Sequence, residues 1–110
     1  MPNNADLAQR RIQATPRGVG VSMPNAYAAK AKNAEIWDVE GRRFIDFAGG
    51  IAVLNTGHCH PKIQAAVAAQ LENFTHTCYQ VMPYEGYVAL AERLNAITPG
   101  THAKKTALYS

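Results

Sequence analysis

The chain has 110 residues, 11 Lys and Arg against 8 Asp and Glu, 47% apolar residues and two cysteines, which is enough for one modest domain with a small core. Its net charge of +3 comes from basic residues scattered along the chain, so a nucleic-acid partner is not expected. No stretch approaches the roughly 20 consecutive apolar residues of a membrane span, and the polar start Met1-Pro2-Asn3-Asn4 is unlike a secretory signal. The expectation is a cytoplasmic chain with no membrane partner, and with Cys59 and Cys78 as free thiols.

In chain order, Ala5 to Gln13 predicts a short helix, a frayed arm that stops before Thr15-Pro16 because proline disfavours a helical predecessor. Pro16-Arg17-Gly18-Val19-Gly20 predicts an irregular crossing. Ala26 to Ala31, Glu35 to Val39 and Arg43 to Phe47 then read as a three-stranded antiparallel meander, broken at Asn33 and at Glu40-Gly41, where Gly41 supplies the positive φ of a tight hairpin. Asp38, Glu40 and Asp46 are expected to face solvent around that hairpin.

Gly49-Gly50 opens a connection through Ile51-Ala52-Val53-Leu54 to Gly57-His58, read locally as a turn closing the meander. Pro61 opens a helix whose stripe is Ile63, Ala66, Val67, Leu71 and Phe74, and Pro83 to Ile97 predicts another, with Pro99-Gly100 as its stop. Lys104 to Ser110 resembles the start of a strand entering an apolar interior. Such a strand needs partners on both edges, and the meander lies far upstream.

The tightest set of reactive side chains is His58-Cys59-His60 with His76 and Cys78. Its spacing fits no zinc finger or ribbon, and a Cys–His nucleophile is no better supported by adjacency alone. The glycines match neither nucleotide-binding glycine motif. No metal ligand set and no catalytic pair is assigned from the residues themselves.

The run from Asp38 through Asp46-Phe47-Ala48-Gly49-Gly50-Ile51 to Gly57-His58, with Pro61, resembles the class III pyridoxal-phosphate-dependent aminotransferases. Gln9-Arg10-Arg11, Pro16 to Gly20 and His76-Thr77-Cys78-Tyr79-Gln80 are similar to the 4-aminobutyrate branch of that family. The resemblance implies an α/β chain, the N-terminal portion of a fold type I PLP-dependent transferase. Residues 1–20 would be an arm, 21–58 the start of the small domain with the meander, and 59–110 the start of the PLP-binding large domain with its first helices and first strand.

It also implies that Ile51 and Gln80 line the substrate site, that Gly49 and Gly50 let the chain pass close to the cofactor, and that the parent is a homodimer. The reaction implied passes nitrogen from an amino donor, 4-aminobutyrate or a related ω-amino acid, to 2-oxoglutarate through pyridoxal phosphate. None of Lys30, Lys32, Lys62, Lys104 or Lys105 matches the Schiff-base position, so no catalytic residue is assigned. Ser110 falls about two residues short of the family's phosphate-gripping Gly-Ser turn, as a boundary reading. The isolated chain is therefore expected to be inert and not to bind the cofactor tightly. The alternatives are an interaction module that docks on an intact aminotransferase subunit, and a His/Cys metal-binding domain.

Overall fold

The computed structural model describes residues 2–109. These form two compact units, 1–68 and 69–110. In the first unit α1 (Asn4–Ala14) precedes a three-stranded antiparallel sheet, β1 (Ala28–Lys32), β2 (Glu35–Asp38) and β3 (Arg43–Ile45), in the order β1-β2-β3. The meander is therefore present, with shorter strands than its apolar pattern suggested. Register pairs Ala31 with Ile36 and Ile36 with Phe44. The hairpin between β2 and β3 turns at Gly41, whose φ is +83°, the left-handed value that costs glycine nothing.

The N-terminal helix is not the frayed arm its sequence suggested. Asn3 and Asp6 form a reciprocal capping box, which satisfies two of the amides every helix start leaves unpaired. Asn4 then fixes the helix to the sheet. Its main-chain amide donates to Glu40 Oε1 at 2.9 Å, its side-chain amide donates to Asp38 Oδ2 at 2.9 Å, and its Oδ1 accepts from the Tyr27 amide at 2.9 Å. Arg11 adds a bond from Nε to the Tyr27 hydroxyl.

Of the carboxylates around the hairpin Glu40 is exposed, as expected, whereas Asp38 does not face water. Asp38 is 4% exposed and accepts from Asn4 Nδ2, Arg42 Nε, and the amides of Glu40 and Arg42. Four donors fill the lone-pair sites of a carboxylate. Burial acts to raise its pKa, but the hydrogen bonds from Arg42, Asn4 and Glu40 together hold it below the usual aspartate value. Glu40 is likewise held low, chiefly by the Asn4 bonds.

The helix α3 (Pro61–Leu71) begins at the predicted proline and ends before Phe74. In the second unit α4 (Glu85–Ile97) closes with its Thr98 hydroxyl donating to Leu94 O at 2.7 Å. Phe74, Tyr79, Tyr84 and Tyr87 gather beside it, with Tyr79 stacked on Tyr87 at a centroid separation of 3.9 Å. The segment expected to be a strand is not one over residues 104–109; Ser110, its last residue, lies outside the described residues. The Thr106 hydroxyl donates to Asn95 Oδ1 and the Leu108 amide donates to the Tyr87 hydroxyl. The Tyr87 side chain of α4 thus accepts one main-chain bond, from Leu108, of the kind a neighbouring strand accepts in a sheet.

Among the described residues no apolar side chain is buried. The two buried polar residues, Asn4 and Asp38, sit at the helix–hairpin junction. Polar bonding, rather than an apolar centre, fastens α1 to the sheet. No helix among the described residues is long and apolar enough to cross a membrane.

Candidate functional site

The segment Asp46 to His58 is a loop pinned at its neck. On the entering side the Asp46 amide donates to Ala34 O at 2.8 Å. On the leaving side His58 and Asn33 exchange both backbone hydrogen bonds, at 2.9 and 2.8 Å. Asn33 and Ala34 are the two residues that turn β1 into β2, so both stems rest on one hairpin. Gly57 makes this approach possible, because a Cβ there would stand 3.0 Å from the Asn33 backbone.

The two stems also meet through side chains, with His58 Nε2 and Asp46 Oδ2 2.7 Å apart. Asp46 uses its other oxygen to accept from the amides of Ala48 and Gly49, both at 2.9 Å. The His58 hydrogen bond is the main cause that lowers the Asp46 pKa, followed by the Gly49 amide. The carboxylate is therefore ionised at neutral pH and His58 Nε2 is the donor. The expectation that Asp46 faces solvent was wrong: its side chain is 8% exposed. A signal lay in the sequence, since Asp followed by Gly three residues on is the pattern of a side chain that bonds nearby backbone.

Within the loop, α2 (Gly49–Ala52) is one turn in which all four residues have positive φ: 53° at Gly49, 64° at Gly50, 64° at Ile51 and 60° at Ala52. Backbone bonds from Ile51 and Ala52 to Ala48 O, and from Val53 and Leu54 to Gly49 O, close it. Glycine adopts this conformation freely, whereas β-branched Ile51 crowds its Cβ against backbone. The product is display: Phe47 is 96% exposed and Ile51 90%.

Of the residues singled out from sequence, Gly49, Gly50 and Ile51 stand together on this turn. Gln80 belongs to the second unit, in a bend where Cys78 has φ 53° and Cys78 O accepts from the Val81 and Met82 amides. It lines a hollow of about 450 Å³ with His76, Cys78, Tyr79, Tyr84 and Tyr87 among its walls. Both cysteines are free, as expected. No three His, Cys, Asp or Glu side chains converge on a metal-sized point among the described residues.

Compared with known proteins, residues 17–109 match the family model described as aminotransferase class-III. This chain belongs to the class III aminotransferases. It is 58% identical over 110 residues to the 4-aminobutyrate aminotransferase GabT of Escherichia coli, covering 100% of this chain and 26% of that protein. It is 57% identical over 107 residues to the 5-aminovalerate aminotransferase DavT of Pseudomonas putida, covering 97% and 25%. Among solved structures, an omega-transaminase from Sphaerobacter thermophilus matches with a TM-score of 0.74 and 35% identity over 84% of this chain and 22% of that one. The chain thus spans about a quarter of the length of the relatives it matches.

Membership implies pyridoxal phosphate as the cofactor of a full-length class III protein. The lysines of this chain do not fit its covalent anchor. Lys30 lies over the Trp37 ring at 4.9 Å, Lys104 Nζ donates to the carbonyls of Gly100 and His102, and Lys32, Lys62 and Lys105 are exposed. A lysine that condenses with a carbonyl is made nucleophilic by desolvation or a neighbouring cation, which an ammonium in open water lacks.

Proposed function

We propose that this chain is the N-terminal part of an ω-amino acid transaminase that converts 4-aminobutyrate and 2-oxoglutarate to succinate semialdehyde and glutamate. The observation that carries the reading is the match of the whole chain, at 58% identity, to a 4-aminobutyrate aminotransferase. Ile51 and Gln80 are the residues proposed to line the substrate site, with Gly49 and Gly50 beside the cofactor. The displayed, glycine-led turn supports this placement: an apolar side chain held outward on a rigid stem is suited to form the wall for a short methylene chain, and missing Cβ atoms leave room for close approach. Residues 1–20 would serve as an arm, 21–58 as the start of a small domain and 59–110 as the start of the cofactor domain. The parent is proposed to be a cytoplasmic homodimer.

Pyridoxal phosphate, when bound by such an enzyme, supplies the electron sink for the transfer. This chain has no fitting lysine for it, so the 110-residue polypeptide by itself is proposed to be inert. The chain is also 57% identical to a 5-aminovalerate aminotransferase, and one methylene in an apolar pocket is worth only about 1–3 kcal/mol. The test is to extend the coding DNA past Ser110, express both proteins, and assay each with 4-aminobutyrate and 5-aminovalerate as donors to 2-oxoglutarate. Turnover by the longer protein alone, with 4-aminobutyrate preferred, is the expected result. Turnover by the 110-residue chain, or none by the longer protein, would overturn the reading.

A further inference from the structure

We infer that Asp46 and His58 are positioning residues that hold the turn Gly49–Ala52 in its left-handed form and so fix where Ile51 stands. That Ile51 then faces substrate rests on the transaminase reading above; the control of the turn by the pair does not.

The backbone of the turn is anomalous. Two successive non-glycine residues, Ile51 and Ala52, have φ of 64° and 60°, and one of them is β-branched. Residues of this type leave the left-handed region unless their surroundings hold them there. Side-chain packing does not hold them, since Ile51 is almost wholly exposed. The turn's own backbone bonds to Ala48 O and Gly49 O close it, and the neck is what ties it to the sheet. Asp46 fixes the first two amides of the turn through Oδ1, and through Oδ2 it is tied to His58, twelve residues on.

Each member of the pair is in turn anchored on the same two-residue hairpin, Asp46 through Ala34 and His58 through Asn33. The loop is therefore a ring closed by three kinds of bond: main chain to Ala34, main chain to Asn33, and the side-chain hydrogen bond between the stems. Of these only the side-chain bond joins the stems directly. Asp46 uses both oxygens, and His58 Nε2 is committed to Asp46. Their role is thus exerted through the turn they constrain.

The test uses isotope-labelled chain and reads the amide-to-Hα coupling and the carbon shifts of Ile51 and Ala52, which report the sign of φ. His58→Gln keeps a side-chain N–H donor; His58→Phe keeps a ring and removes it. The left-handed signature is expected in the parent chain and the Gln variant and lost in the Phe variant, with the Ile36 and Phe44 amide shifts of the sheet unchanged. Persistence of the signature in the Phe variant, or its equal loss in the Gln variant, would overturn the inference.

If the Phe variant disturbs the sheet, Asp46→Ser decides. It leaves a short acceptor for the Ala48 and Gly49 amides but withdraws the oxygen that meets His58. Loss of the signature with an intact sheet supports the pair; retention, or collapse of the sheet in this variant too, overturns it. In the longer protein, His58→Phe is expected to raise KM for the amino donor about tenfold while kcat changes less than about threefold, and His58→Gln to restore KM. An inactive parent protein defeats the transaminase reading and leaves the coupling result standing. An active parent whose KM ignores both substitutions defeats the positioning of Ile51 for substrate and leaves the reading standing.

Discussion

Replacing Gly57 with alanine tests how the loop is seated, and its effect can be worked out against a matched control at Gly41. Both glycines have left-handed φ, +76° and +83°, so both substitutions incur the left-handed penalty of about 1–2 kcal/mol for a residue with a Cβ. They differ in space. At Gly41 the new methyl meets nothing within 4 Å, whereas at Gly57 it stands 3.0 Å from both Cα and O of Asn33. The Asn33 backbone must give way, and it is held there by the two reciprocal bonds with His58, each worth about 1 kcal/mol net. The sum is about 3–4 kcal/mol for Gly57→Ala and about 1–2 for Gly41→Ala. At about 1.4 kcal/mol per decade, amide exchange at Asn33 and His58 should quicken roughly 100- to 1,000-fold in the first variant and stay unchanged in the second. Hydrogen exchange read by NMR on dilute monomeric chain measures this. Equal effects of the two substitutions at Asn33, or intact protection there in Gly57→Ala, would refute the steric argument.

Asn4→Ala should free α1 from the sheet by removing the acceptor of the Tyr27 amide and a donor to Asp38; leaving a buried donor unpaired costs about 1–3 kcal/mol, and limited proteolysis within α1 should quicken accordingly. Resistance equal to the parent chain would count against the latch. The carboxyls of Asp38 and Asp46 both titrate below the ordinary aspartate value of 3.8, so their contribution to stability is complete above that pH and is lost as the pH falls through the lower folded values. Carboxyl-carbon NMR titration should find both midpoints under 3.8, and a midpoint at or above it would contradict the hydrogen bonding described. With Phe47 96%, Ile51 90% and Val53 73% exposed, and each such side chain worth about 1.5–3 kcal/mol on burial, the 110-residue chain should self-associate as its concentration rises. Light scattering checks this, and a concentration-independent, cooperative thermal transition at monomer mass would contradict it.

Much of the local structure was legible because it depends on neighbours in sequence. The alternation around Trp37, the glycine at 41 and the proline at 61 are each a conformational preference of a few adjacent residues, and the meander and α3 followed from them. Family resemblance rested on the same kind of evidence, the run from Asp38 to His58, and residues 17–109 match the class III model. What misled was reading polar residues singly. Asp38 and Asp46, taken one at a time, belong in water. Asn4 is an unremarkable residue at the start of a short helix.

The tertiary structure decided which of these polar groups meet. Asn4 reaches Asp38 across 34 residues and His58 reaches Asp46 across 12, and a hydrogen bond over such a span depends on the path of the backbone between, which no local pattern encodes. The fate of Lys104 to Tyr109 was settled in the same way. Its composition suits a strand, but strand formation requires a neighbouring ladder, and among the described residues none pairs with it; its Leu108 amide donates to the Tyr87 hydroxyl instead. Sequence thus determined the meander, the main helices and the family. Contacts between distant residues determined which carboxylates are buried, how the N-terminal helix is held, and where the left-handed turn that carries Ile51 is seated.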